Sequence, residues 1–489
     1  MAGPGSLTAG PALPSATAAR RIRYTGRMTV LKRVQVWTAR QVVRLAAAVL
    51  RRLSRGGGTL PGRLGLWLAP GLLSALAAGM PRGVVVVTGT NGKTTSAHLL
   101  HEVLAAAGWG VVRNQSGANL ASGLATALAT AGPADVAVLE TDEATVPNVA
   151  PSLQPKVMVV SNFFRDQLDR YGELSTTVAH VRRGLKSLPT QGVAVLNADD
   201  PNVAALAGDV RSAVFYGLAG EGRPTVGDGG ADARRCPSCG AALTYDARQY
   251  AHLGAYRCLT CGLARPPLDL AVSVGRRAEG QELALDWRGE RFTVPFGLPG
   301  TYNAYNAALA AAAALALGVA PAAVAAGLSQ AGASFGRMEA LSWRGAEVRL
   351  ALVKNPAGFN EVLETVAEDP RPKDLVMLIN DRYADGRDVS WLWDVEFERL
   401  VARAGVGRIW VGGTRGRDLA VRLKYAGIPS NGVEVVPGPP AAALSAAVGP
   451  GDEATAVGRR LYVLPTYTAL LAVRERLAAE GVVRHFREG

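Results

Sequence analysis

The run Gly89-Thr90-Asn91-Gly92-Lys93-Thr94-Thr95 holds the residue types that grip a polyphosphate. Its two glycines let the backbone curl so that N–H groups converge on an anion, and a helix opening at Lys93 adds the positive end of its dipole. Lys93 is placed to reach the β- and γ-phosphates of ATP, and the Thr94 hydroxyl to hold Mg²⁺. Thr90, Asn91, Gly92 and Thr95 complete the expected ATP contacts. The loop is shorter than the common phosphate loop, because the position five before Gly92 is Val87. A turn that only linked strand to helix would not need lysine and threonine beside the glycine. Glu140 ends the apolar run 136–139, where a carboxylate at a strand end offers Mg²⁺ a second hard oxygen.

Two further pairs, Cys236-x-x-Cys239-Gly and Cys258-x-x-Cys261-Gly, stand 18 residues apart. Each such knuckle wraps two thiolates onto one ion, and together they complete a tetrahedron around Zn²⁺. Four sulfur ligands leave no open position, so the predicted metal is structural. A redox pair or an iron–sulfur site is the competing use of these thiols. All 4 cysteines are consumed in the two knuckles, which leaves no disulfide framework and points to a reducing cytoplasm.

The elements that must carry these groups follow from the apolar pattern. Val84 to Val87 is a β-branched run suited to a strand buried on both faces. Helix-like and strand-like segments then alternate: a helix from Thr94, strands at 111–113, 136–139, 157–160 and 193–196, and helices between them. Such alternation predicts an α/β fold with a doubly wound parallel sheet whose ligands gather at the carboxyl ends of its strands. At 489 residues, two or three domains are expected. The expected division is a disordered stretch over 1–27, a basic helical segment over 28–80, an ATP-binding domain over 81–336 with the zinc ribbon inserted at about 230–266, and a second α/β domain over 337–489.

The first residues lack an apolar signal-peptide core, and the run 64–80 is too short and broken to span a bilayer. The alanine-rich stretch 307–328 is divided by Gly318 and Pro321 and reads as two packed helices. The net charge of +13 suits a polyanionic partner or reflects an arginine-rich coding bias. Over 30–53 apolar Leu31, Val34, Trp37, Val42, Leu45, Val49 and Leu53 alternate with Lys32, Arg33, Arg40, Arg44, Arg51 and Arg52. This pattern describes either a surface helix with a solvated basic face or one that rests on an anionic membrane.

The loop and several later segments resemble the Mur ligase family, which makes amide bonds through an acyl phosphate. The resemblance covers the chain from about Gly83 to Arg337. The segment 161–172 is similar to the family's Asp-His-x-Asp-Arg-Tyr, with Gln167 in place of the metal-binding histidine. No lysine follows between Tyr171 and Gly184 where most members carry a carbamylated one. In 296–308 the resemblance implies that Asn303 contacts adenine while Asn306 braces the loop, with Tyr302 in place of a histidine. Arg337, in Phe335-Gly336-Arg337-Met338-Glu339, would swing onto the ATP phosphates when the domains close.

Beyond that hinge Lys354 stands where the family has histidine, and is carried over as an ATP contact. The segment 378–394 and the ribbon are similar to the family's amidating branch, which lacks the uridine-nucleotide domain of ordinary members. The resemblance implies that ATP activates the α-carboxylate of D-glutamate in the stem peptide of lipid II, in peptidoglycan synthesis at the inner membrane face, and that ammonia then displaces phosphate. A glutaminase needs a nucleophilic cysteine, and this chain has none to spare. A heterodimer with a separate glutaminase, GatD, is therefore expected. Asp388 and Asp394 are the candidates to orient that partner's histidine, with Asp394 favoured by the neighbouring Trp391 and Trp393. The competing functions are an ordinary amino-acid-adding ligase and a zinc-ribbon ATPase acting on nucleic acid. The insert shows no dense basic and aromatic cluster, so no nucleic-acid partner is expected.

Overall fold

Side chains alternate along an extended strand, so Val85 and Val87 point to one face while Val84 and Val86 point to the other. In the computed structural model all four are buried, and the two pairs belong to separate cores above and below one sheet. The structure describes residues 29–52, 59–114, 117–165, 174–220, 222, 232–277, 280–331, 337–401, 405–448 and 459–483. The stretch 1–27 and the motif residues 166–172, Gln167 included, lie outside the described residues.

Strands β1 (Val84–Thr88), β2 (Val111–Arg113), β3 (Val136–Glu140), β4 (Val157–Val160), β5 (Val193–Asn197) and β6 (Ala213–Leu218) run parallel in the order β2-β3-β1-β4-β5-β6. The chain moves to one side of β1 for β2 and β3, then to its other side for β4. The crevice at the end of β1 is therefore the switch point where such sheets take ligands. A hairpin of β7 (Thr244–Tyr250) and β8 (Leu253–Arg257) forms its own two-stranded sheet. Strands β9 (Leu270–Arg276), β10 (Gln281–Trp287) and β11 (Glu290–Phe296) extend the main sheet beyond β6 as an antiparallel meander.

One face of this sheet carries helices Lys93–Ala106, Thr301–Ala316 and Pro321–Gln330. Alanine lets helix backbones approach closely, and every residue from Asn303 to Leu315 is buried. Gly327 takes this further: a Cβ there would stand 2.4 Å from the Cα of Val103. The stretch 307–328 thus forms the two packed helices expected of it. The opposite face carries Ala121–Thr130, Val146–Leu153, Leu174–Leu185 and the three N-terminal helices Val30–Arg52, Leu60–Leu68 and Leu72–Ala77.

A second sheet is built from β12 (Arg337–Trp343), β13 (Ala346–Ala351), β14 (Lys373–Leu378), β15 (Val406–Gly412), β16 (Val433–Val435) and β17 (Arg460–Pro465). Its order is β12-β13-β17-β14-β15-β16, parallel except for the first hairpin, with a core on each face. The strand ends of both sheets meet at one cleft. No helix among the described residues is long and apolar enough to cross a membrane.

Candidate active site

The turn after β1 is held from the adjacent strand end. Thr90 donates its N–H to the Asn162 carbonyl at 2.8 Å, and Asn91 donates its own to Asn162 Oδ1 at 2.9 Å. Ser161 Oγ donates to the Asn91 carbonyl at 2.9 Å. Gly92 has φ +84°, and a Cβ there would lie 2.1 Å from Asn306 Oδ1, so position 92 admits only glycine. Thr90, Gly92, Lys93 and Thr94 line a cleft of about 440 Å³ together with Asn119, Glu140, Asp142, Glu143, Lys354 and Asp385. Asn91, Gly92 and Thr95 also line an adjoining pocket with Tyr250, Tyr302, Tyr305, Asn306 and Lys354. A polar cleft for phosphates beside an aromatic pocket for a base is the shape a nucleotide requires.

Lys93 is folded onto its own loop, donating to the Gly89 carbonyl at 2.5 Å and pairing with Glu143 at 3.1 Å. Burial works against its charge, but Glu143, Asp142 and Glu140 outweigh that effect and raise its pKa. Burial likewise pushes the Glu143 carboxyl up, with Lys93 opposing. The end of β3 is clamped by Asn114, whose Oδ1 accepts from Glu140 N–H at 2.9 Å and whose Nδ2 donates to the Glu140 carbonyl at 2.9 Å. Three buried carboxylates thus face Lys93 across the cleft, with Lys354 beside Glu143 and Arg113 beside Glu140, a set of hard oxygens that suits a dication. Magnesium keeps several waters and needs only one or two protein oxygens, which Glu140 and Thr94 are placed to supply.

The second domain reaches the same loop. Lys354 Nζ donates to the Thr90 carbonyl at 3.2 Å. Asn355 spans both domains: its Nδ2 donates to Asn91 Oδ1 at 3.0 Å, while its Oδ1 caps helix Pro356–Glu368 by accepting from Gly358 N–H. Asn303 is buried and donates to the Pro299 carbonyl at 2.7 Å, and its Oδ1 accepts from Asn306 at 3.2 Å. It is Asn306 that faces the loop and the aromatic pocket, with Asn303 behind it. Arg337 opens β12, and its side chain lies outside the described residues.

Asp388 precedes and Asp394 ends a 3₁₀ turn, Ser390–Asp394, and both are exposed. The cleft is lined by Asp385 and by neither of them. Ser390 donates its N–H to Asp388 at 2.8 Å and holds that carboxyl below the usual range. The two tryptophans part company: Trp391 packs towards Phe359, whereas Trp393 is 55% exposed beside Tyr425.

The four cysteine sulfurs lie within 4.8 Å of one another. Cys236 and Cys261 are 3.5 Å apart, as are Cys239 and Cys258, close to the ~3.8 Å edge of a tetrahedral Zn–S₄ site. Gly240 and Gly262 close the two knuckles with φ near +76° and +77°. The donor set fits zinc.

The ribbon is anchored to the end of β5 both from its hairpin and from just past the second knuckle. Arg265 Nε pairs with Asp199 at 2.5 Å, and His252 Nε2 lies 3.2 Å from Asp200. Tyr305 donates its hydroxyl to Asp199 at 2.6 Å. His252 packs at a tilt against the ring of Phe164, whose N–H donates to Thr90 Oγ1, so the ribbon leans on the phosphate loop. Glu143, Asn355, Tyr250 and His252 escaped sequence reasoning. The last two carry a faint signal, an aromatic and one of only 5 histidines set between two cysteine pairs.

Comparison with known proteins bears on this site. Residues 87–226 match the Mur ligase middle domain, and residues 352–470 match the MurT ligase C-terminal domain. A Streptococcus pneumoniae (strain ATCC BAA-255 / R6) protein named "Lipid II isoglutaminyl synthase (glutamine-hydrolyzing) subunit MurT" is 34% identical over 443 residues, 89% of this chain and 95% of that one. A Staphylococcus aureus (strain COL) protein of the same name is 33% identical, covering 80% of this chain and 88% of its own. Among solved structures, MurF from Acinetobacter baumannii superposes with a TM-score of 0.64 at 17% identity, covering 87% of this chain and 81% of that one, a likeness of fold.

Proposed function

The chain belongs to the MurT family of Mur ligases, and we propose that it is the synthetase subunit of a glutamine-hydrolysing lipid II isoglutaminyl synthase. The reaction is an ATP-dependent carbon–nitrogen ligation. The α-carboxylate of D-glutamate in the stem peptide takes the γ-phosphoryl group, and ammonia attacks the resulting acyl phosphate, releasing phosphate and leaving D-isoglutamine. The observation that carries this reading is the convergence of Lys93 and Lys354, from two domains, on the loop that faces Glu140, Asp142 and Glu143.

Lys93 exchanges Glu143 for phosphate oxygens when the nucleotide binds, at no net loss of partners. Lys354 brings a second cation from the other domain, so domain approach and charge neutralisation are one event. Arg337, at the hinge, adds a third. Thr94 and Glu140 would hold Mg²⁺, which would supply charge neutralisation to the phosphates. The base sits among Tyr250, Tyr302, Tyr305 and Asn306. Zinc held by Cys236, Cys239, Cys258 and Cys261 would have no part in the chemistry and would brace the hairpin that carries Tyr250 and His252.

Ammonia is scarce near neutral pH because most of it is ammonium, so a second subunit must deliver it. All 4 cysteines belong to the ribbon, which leaves this chain without a thiol nucleophile for glutamine hydrolysis. The partner is a GatD-type glutaminase, and the exposed Asp388 and Asp394 beside Trp393 are the carboxylates offered to its histidine. The enzyme works in the cytoplasm at the inner membrane face, where its lipid-linked substrate lies.

The test is amidation of lipid II by the purified chain with ATP and either ammonium at high pH or glutamine. Product with ammonium and none with glutamine supports a synthetase awaiting its glutaminase. Addition of a free amino acid without amidation sinks the proposal in favour of an ordinary ligase.

A further inference from the structure

The positive charge of this chain is segregated. Its first 101 residues hold fourteen of the 53 lysines and arginines and none of the 40 acidic residues, the first of which is Glu102. The remainder is one charge negative. An arginine-rich coding bias would spread the surplus along the chain; here it is gathered near the N-terminal end, with seven of the fourteen on helices Val30–Arg52 and Leu60–Leu68.

These two helices present an outer side to solvent. Helix Val30–Arg52 buries Val36, Ala39, Val43 and Ala47, spaced three and four apart on its inner face. Leu31, Val34, Trp37, Leu45 and Val49 recur at helical spacing on the opposite side. Leu31, Trp37 and Leu45 are 84%, 60% and 69% exposed. Helix Leu60–Leu68 adds a second exposed stripe of Leu60, Leu64 and Trp67, the last 79% exposed. The two helices are locked together, with Gly65 seated on Val43 and Gln35 donating to the Leu68 carbonyl at 2.7 Å. The exposed Arg33, Arg44 and Arg51 fall eleven and seven residues apart, forming a basic line beside the apolar stripe. Arg40 instead reaches in to the Ala129 and Ala131 carbonyls.

We propose that this two-helix face lies flat on an anionic lipid bilayer. Leucine, valine and tryptophan side chains enter the acyl boundary while the arginine line meets lipid phosphates. The charge complementarity selects an anionic surface, and the apolar stripe between the arginines selects lipid over nucleic acid, which would offer it nothing to bury. Residues 1–28 do not complement the face, since they contribute four more arginines and no acid. At 23 residues the helix is about 35 Å long, enough for several lipid contacts along its length. The pair is also anchored one turn from the cleft: Gly62 packs on Ser122, and Asn119, just before that helix, lines the cleft. Docking therefore holds the site at the bilayer, which serves the proposed lipid-linked substrate and deepens that reading.

The test is flotation of the full chain with phosphatidylglycerol–phosphatidylcholine vesicles and with phosphatidylcholine alone. Binding is expected to the first and not the second, and to weaken with salt. A chain carrying Trp37→Glu, Leu45→Glu and Trp67→Glu, and another carrying Arg33→Glu, Arg44→Glu and Arg51→Glu, are each expected to bind about a hundredfold more weakly. Both variants should keep bound zinc and amidate a water-soluble stem-peptide substrate as the parent does, which separates failure of docking from failure of the proposed reaction. Absence of vesicle binding by the parent, or undiminished binding by both variants, overturns the proposal. So does loss of glutaminase association with vesicle binding intact, which would make the face a protein interface.

Discussion

Two clusters of buried carboxylates stand at strand ends of the same sheet, and they are treated in opposite ways. At the end of β5, Asp199 meets Arg265, the Tyr305 hydroxyl and the Leu218 N–H, while Asp200 meets His252 and the N–H groups of Phe163, Asn202 and Val203. At the end of β3, Glu140, Asp142 and Glu143 crowd around Lys93. Charge matched by fixed internal partners is architecture; here it holds the ribbon against the sheet. Charge that lines an open cleft, where its partners can be exchanged, is an invitation to cations and phosphate. The contrast teaches where to look for chemistry among buried acids, which burial by itself does not reveal.

The contrast is broken most directly at Lys93. Lys93→Ala should lower ATP-dependent amidation by about a thousandfold while costing less stability than loss of Asp199, since the cleft can hydrate Glu143. Steady-state kinetics beside a melting curve would read both; a collapse of stability with little effect on rate would reverse the assignment. Asp199→Ala should cost about 3–5 kcal/mol by leaving Arg265 without its buried partner. Denaturant unfolding measures it, and a loss well under 1 kcal/mol would mean the pair is not structural.

A third set of carboxylates, exposed and outside the cleft lining, sharpens the comparison. Asp388→Asn or Asp394→Asn should cut glutamine-driven amidation about a hundredfold or more when GatD is present, yet leave the ammonium-driven reaction intact. Equal loss in both assays would place that residue in the ligase chemistry instead. The smallest effect is expected at the seam between ribbon and nucleotide. Tyr250→Phe removes one buried hydroxyl beside the loop and should weaken ATP binding by about fivefold, or ~1 kcal/mol. Removing zinc with a chelator should weaken it further, and calorimetry of nucleotide binding distinguishes the two.

Much of this site was written locally. A strand of four valines, a turn that only Gly92 can make and a lysine in the next residue are each decided within a few positions of chain, so Lys93, Thr94 and Glu140 are legible without a structure. The zinc knuckles are equally local, because each Cys-x-x-Cys-Gly closes on itself. The alanine-rich stretch also declared its two helices, since Gly318 and Pro321 break the helical run by backbone sterics alone.

What only the tertiary structure decided is which polar groups meet across long separations. Lys354 donates to Thr90 264 positions away, and Asn355 to Asn91 at the same remove, contacts set by how two sheets present their strand ends to one cleft. Asn303 and Asn306 lie three residues apart on one helix, yet the packing of that helix turns the first towards Pro299 and the second onto the loop. The N-terminal segment shows the same division. Its basic and apolar composition was fixed by the residues, but only packing on the sheet revealed that it has two apolar faces. The physical reason is general: turns, strands and metal knuckles close over a few residues of chain, whereas the partner of a buried charge is chosen by whatever surface the whole fold brings beside it.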